Sequence, residues 1–294
     1  MKTRRLLLLL AGLLLASTAT APRVTGATAP ATPTLVGIRA AHHPGLDRVV
    51  FDFAGGLPAS RQVAYVNQLI GDGSGLPVPI AGRAILQVRL NPANAHDESG
   101  HSTAPRSIAF PLPNVMTAVR SGDFEAVTTY GIGLAKKRPF RVFTLTGPPR
   151  LVIDVDAAFP TMNRKVYFFN QPRFDANHEP FFTPVLRPVL PGTPATGVMD
   201  RLFAGPLPSE TSAGLRLLRS EATGFTGLRI ANRVAKVQLV GGCNSRGSTV
   251  TIGGEILPTL RQFPTVSFVK IYDPAGNTEN PTGRSDSIPA CLEP

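Results

Sequence analysis

Five histidines, two cysteines and a few paired carboxylates carry most of the chemistry open to this chain. His96-Asp97-Glu98 with His101 sets two imidazoles and two carboxylates within six residues, donor types that can hold zinc or another divalent ion. The surrounding run NPANAHDESGHSTAP is almost wholly polar and turn-forming, so a solvated loop is expected and no metal or cofactor is assigned. His42 and His43 precede Pro44-Gly45 and read as turn residues packing beside Asp47 and Arg48. Adjacent strand residues point to opposite faces, so Asp47 and Arg48 cannot pair with each other and each needs a partner on a neighbouring strand. Asp154 and Asp156 fall on one strand face about 7 Å apart, a spacing a glycosidase could use, although a solvated face is the commoner meaning.

Nucleophile and nucleotide signatures are missing. GDGSG at 71–75 places Asp72, not glycine, two before Ser74 and reads as a turn, and Gly131-Ile-Gly133 lacks the third glycine of a dinucleotide loop. Cys243 beside His178 would make a thiol nucleophile. Against that, an isolated cysteine pair in an exported chain usually forms one bridge, here Cys243–Cys291 around a loop of about 49 residues, with two free thiols as the competing reading. Export is expected because Lys2, Arg4 and Arg5 precede the apolar run Leu6 to Leu15, the pattern of a signal peptide over 1–21. The run is shorter than the roughly 20 residues of a membrane-spanning helix, so no transmembrane span is expected in the mature chain.

The elements that must position these groups are short. Of 294 residues, 28 are glycine and 29 proline, which breaks up helices and predicts strands joined by turns. At about 100 to 200 residues per domain, the length favours two domains. Residues 22–34 are small, Pro-rich and almost uncharged, a linker. From 35 to 156, DRVVFDF puts Val49, Phe51 and Phe53 opposite Arg48, Val50 and Asp52, and RLVIDVD sets Leu151, Ile153 and Val155 opposite Asp154 and Asp156. With RQVAYVNQL, AILQVRL, RSIAF, FEAVTTYGIGL and FRVFTL, about seven strands suggest an antiparallel sandwich or barrel. Residues 164–294 differ, running strand, helix (197–204), strand, strand, helix (from Ile252, with Pro258 in its first turns), strand; the fold class is α+β overall. The net charge of +11 includes three leader cations, and the basic exterior that remains favours anionic surroundings such as cell-wall polymers, lipid head groups or acidic glycans, whereas the excess of arginine over lysine reflects genome composition more than chemistry. The export signal and the lack of an aromatic-interleaved basic stretch argue against nucleic acid.

Two resemblances follow from these residues. GVMDRLFAGPLPSE, then Gly214-Leu215, a strand pair and LRQFPTVSFVKI, resembles the GerMN domain of sporulation and spore-germination proteins over about 164–275. The insertion GGCNSRGS at 241–248 departs from that family's pattern. GIRAAHHPGLDRVVFDF with RVFTL and RLVIDVD resembles the AMIN-like domain of actinobacterial secreted proteins over about 35–156. Together they imply a non-catalytic, secreted, wall-associated protein: a β domain binding peptidoglycan or another cell-wall polymer, and an interaction domain meeting an envelope protein or copies of itself, with a link to sporulation or envelope assembly. Binding residues proposed from residue type are His42, His43, Arg48, Tyr65 and Tyr130. Two alternatives stay open, a hydrolase of the same polymer using His42, Asp47 or the His96 loop, and a small-ligand-binding module.

Overall fold

Alternating apolar residues build two facing sheets in the first part of the chain. The computed structural model describes residues 31–294; the expected leader and most of the expected linker lie outside the described residues. Strands β1 (Thr34–His43), β2 (Leu46–Ala54), β3 (Ser60–Val66), β4 (Ala84–Asn91), β5 (Ser107–Ala109), β6 (Val115–Phe124), β7 (Val127–Leu134), β8 (Phe140–Thr146) and β9 (Pro149–Asp156) number nine, two more than the sequence suggested. They form a four-stranded sheet, β1-β2-β9-β8, and a five-stranded one, β3-β4-β7-β6-β5. Every pairing is antiparallel. Val49, Phe51, Phe53, Leu151, Ile153 and Val155 of the first meet Leu86, Val88, Tyr130 and Ile132 of the second in one core. Each such side chain contributes about 1.5–3 kcal/mol on burial. The result is a sandwich, the first of the two architectures expected.

Two turns differ from the reading. His42 and His43 belong to β1, and the loop itself is Pro44-Gly45, where Gly45 takes φ 80°. FEAVTTYGIGL is split, because Glu125 and Ala126 adopt φ 49° and 56° and reverse the chain between Phe124 and Val127. Left-handed φ at both central residues suits the twist of a two-residue hairpin.

One outer face of the sandwich is covered by the chain itself. Residues 69–83 run over the five-stranded sheet, with Arg83 N donating to Leu134 O at 2.7 Å. Gly131 and Gly133 make room for it: a Cβ on Gly131 would stand 2.7 Å from Leu69 Cδ2, and one on Gly133 would stand 2.0 Å from Ala81 O.

The second part contains β10 (Met162–Asn170), α1 (Gln171–Asp175), β11 (Phe182–Val189), α2 (Pro194–Ala204), α3 (Pro208–Ser212), β12 (Leu215–Arg216), β13 (Ala222–Ala231), β14 (Val234–Gly241), α4 (Ile252–Arg261), β15 (Phe268–Tyr272) and a last 3-10 turn, Ala290–Leu292. Two three-stranded sheets, β11-β10-β12 and β13-β14-β15, share a core with Val198, Leu202, Ile256 and Leu260 of α2 and α4. Strands β14 and β15 are parallel, so α4 is their crossover. Pro258 is not in the first turns of α4 but inside it, where the amide it lacks leaves the carbonyl one turn back without its usual partner. Cys243 and Cys291 form the disulfide, and the tail lies along β15, with Ser287 N donating to Val269 O at 3.0 Å and Ser287 O accepting from Ile271 N at 2.9 Å.

Residues 32–294 form one compact unit. Arg201 of α2 is fully buried, donating from Nη1 to Phe110 O at 2.9 Å, from Nη2 to Leu112 O, and from Nε to Pro188 O at 3.0 Å. Beside it, Arg83 reaches Asp200 at 2.8 Å and lies over Phe225, 5.1 Å from the ring centroid.

Candidate functional site

With the five-stranded sheet covered, the broad face of the sandwich left free among the described residues is the outer side of β1-β2-β9-β8. The register lays its residues in three rows: Ala41, Arg48, Asp154, Arg141; then Arg39, Val50, Val152, Phe143; then Gly37, Asp52, Arg150, Leu145. Arg48 grips Asp154 with both Nε (2.7 Å) and Nη2 (2.8 Å), and Arg141 Nη2 donates to the same carboxylate at 3.0 Å. Both guanidiniums flank Phe143, at 5.4 and 5.0 Å from its centroid. To do this Arg48 crosses β9, so its stem roofs Val152, which is buried although it points away from the core. Arg39 holds Asp52 at 2.8 Å.

The electrostatics of this face are fixed by these pairs. Hydrogen bonds from Arg48 hold the Asp154 carboxyl below the usual carboxylate range, ahead of the opposing effect of burial, and the same bond raises Arg48. Four arginines face two aspartates, leaving an excess of positive charge around one aromatic ring. Such a surface can stack against a ring or an amide and attract anionic groups without taking part in bond breaking. The expected residue Arg48 is on it. Arg141 and Phe143 were missed, although FRVFTL already placed them on one face.

The other expected residues scatter. His42 Nδ1 meets Asp47 Oδ1 at 2.8 Å, and the buried Asp47 accepts from Asn114 N (2.6 Å) and Val115 N (2.9 Å) with its second oxygen. That carboxylate clamps one sheet to the other. His43 is exposed at the hairpin end. Tyr65 is half-buried, sits edge-on to Phe140, and donates to Arg138 O, so it anchors the segment before β8. Tyr130 is a correction: it is enclosed in the core, edge-on to Phe51 and donating to Pro105 O at 2.8 Å, and has no surface for a polymer. Asp156 is held by Arg138 at 2.7 Å.

His96 lies at the opposite end of β1 from His42, because Asn94 bridges Thr34. Eight strand residues, roughly 26 Å, separate the two ends. His42, Asp47 and His96 therefore do not converge. His96 Nδ1 pairs instead with Asp123 at 2.9 Å, and His101 with Asp97 at 3.6 Å. Among the described residues no three His, Cys, Asp or Glu side chains gather as a metal set, and no helix is long and apolar enough to cross a membrane.

Residues 33–157 match the family model of the AMIN-like domain, a span that takes in β1 to β9 whole. No curated protein and no solved structure matches the chain.

Proposed function

We propose that this is an exported, non-catalytic envelope protein whose sandwich binds a cell-wall polymer of the peptidoglycan type through the outer face of β1-β2-β9-β8. The observation that carries the reading is that free, cation-rich, aromatic-centred face on a domain matching the AMIN-like family. AMIN-like domains are typically extracytoplasmic, which agrees with the leader expected at 1–21. Absence of catalysis is supported by the prior commitments of the carboxylates: Asp47 to a clamp, Asp154 to two arginines, Asp156 to Arg138. The second part is read as a GerMN-like interaction domain. Supporting this are α2 running into Gly205-Pro206 and β15 starting soon after Pro264, as that resemblance requires. Its role is contact with an envelope partner or a second copy, and a tie to sporulation or envelope assembly rests on the resemblance alone.

Retention of the purified protein on peptidoglycan sacculi is the test. Binding is expected at low salt and should weaken as salt rises, with Phe143→Ala and Arg141→Ala each reducing it severalfold. No retention at low salt removes the wall-binding reading, and release of soluble muropeptides from the sacculi removes the non-catalytic one.

A further inference from the structure

A second site lies at the far end of the sandwich from the His42 hairpin. There a cleft of about 500 Å³ is lined by His96, Ser102, Arg106, Arg120, Asp123 and Phe124, brought together from the loop after β4, the start of β5 and the end of β6. Its floor is built. Asp123 accepts from Ala95 N (2.8 Å), Thr128 Oγ1 (3.0 Å), His96 Nδ1 (2.9 Å) and Arg120 Nη1 (3.1 Å). Arg120, with a nearly buried side chain, also donates to Ala95 O at 3.0 Å and Ser102 Oγ at 2.8 Å. An ionised carboxylate only accepts, so Nδ1 of His96 carries the proton and Nε2 is the free ring nitrogen.

Three features are left over once the floor is satisfied. Arg106 is exposed and has no ion pair or side-chain hydrogen bond among the described residues. Phe124 is 71% exposed on the rim, the most exposed of the large apolar side chains among the described residues. Ser121 Oγ, also in the cleft wall, is buried without a partner, a condition that asks for an explanation. An open aromatic face, one free guanidinium and polar groups set by a rigid network are complementary to a sugar ring that bears a single carboxylate. A doubly charged phosphate is a poorer fit, since Asp123 lies in the same floor.

We infer that this cleft binds an acidic saccharide, its ring on Phe124 and its carboxylate on Arg106. The inference rests on the wall-binding reading only for where such a sugar would come from.

The test is titration of the full protein, followed by amide NMR or calorimetry, with N-acetylmuramic acid and glucuronate against neutral N-acetylglucosamine. The acids should bind about tenfold more tightly than the neutral sugar, with shifts around residues 96–106 and 120–124. Phe124→Ala should weaken both classes, whereas Arg106→Gln should abolish the preference for acids and leave neutral binding unchanged. Both side chains are exposed, so an unchanged melting temperature verifies that the variants are folded. Equal binding of acid and neutral sugars, or acid preference surviving in Arg106→Gln, overturns the proposal. If Arg106→Gln loses the acid preference and Phe124→Ala loses affinity yet both are retained on sacculi like the parent, the cleft is a separate site and wall binding through the sheet face stands. If acids bind as described but sacculi do not retain the protein, the wall reading alone falls.

Discussion

Asp154 concentrates the chemistry of the free face in one side chain. It is nearly buried, yet it accepts from two arginines on the strands either side of it. Its folded pKa is depressed, chiefly by the Arg48 hydrogen bond, so its contribution to stability is complete above the unfolded value near 4 and is lost as pH falls through the lower folded value. Asp154→Asn should therefore cost about 1–3 kcal/mol at pH 7, and the gap to the parent should begin to narrow below about pH 4 and close once pH passes the lower folded value. Chemical denaturation at both pH values measures this; a gap independent of pH would assign Asp154 a packing role only. At this scale the sequence was partly legible. Alternation set Arg48 and Asp154 on the faces opposite the apolar ones and implied a partner on a neighbouring strand for Arg48, whereas Asp154 was expected to be solvated and is instead held by two arginines. Aromatic type was a poor guide, because Tyr130 and Phe143 both sit mid-strand and only the layering of the sheets decides which is enclosed.

The elements were legible where one face is wet. Strands β2 and β9 announce themselves by period two, but β6 begins with four consecutive buried residues, Val115 to Ala118, because the covering segment 69–83 and α2 bury its second face, and the alternation disappears. Strand β11 was hidden by Pro184 and Pro188, which it tolerates as an edge strand of its sheet. The covering segment depends on two glycines. Gly133→Ala would drive a methyl into Ala81 O, so it should cost about 1–3 kcal/mol or more in urea denaturation, while Gly73→Ala, with nothing within 4 Å of the added carbon, should be nearly silent. Equal effects at the two positions would mean that the close approach does not govern stability. The cleft under Phe124 was not legible at all, since its lining comes from 96–106 and 120–124 and meets only through pairing of β5, β6 and β7.

Across the whole molecule, the sequence suggested two domains but gave no sign of how they are joined. The joint is a charged side chain in an apolar setting: burial, then the nearby Arg187, disfavours the protonated Arg201 guanidinium, and the carbonyls of both parts offset that cost. Arg201→Met would leave those carbonyls without a donor, at about 1–3 kcal/mol for each unsatisfied group. Calorimetry should show one unfolding transition in the parent and two in the variant; a single transition in both would mean that other contacts suffice to couple the parts. The tail carries a different consequence. Strand β15 has β14 on one side, and its other side is sealed by residues around Ser287, in a segment held near its end by Cys243–Cys291. Until that crosslink closes, a newly made chain holds this seal by weaker bonds alone, and a loosened tail bares a row of amides and carbonyls to which another chain can add. Closing the crosslink should therefore lower the tendency to aggregate, and the reduced chain is the vulnerable form.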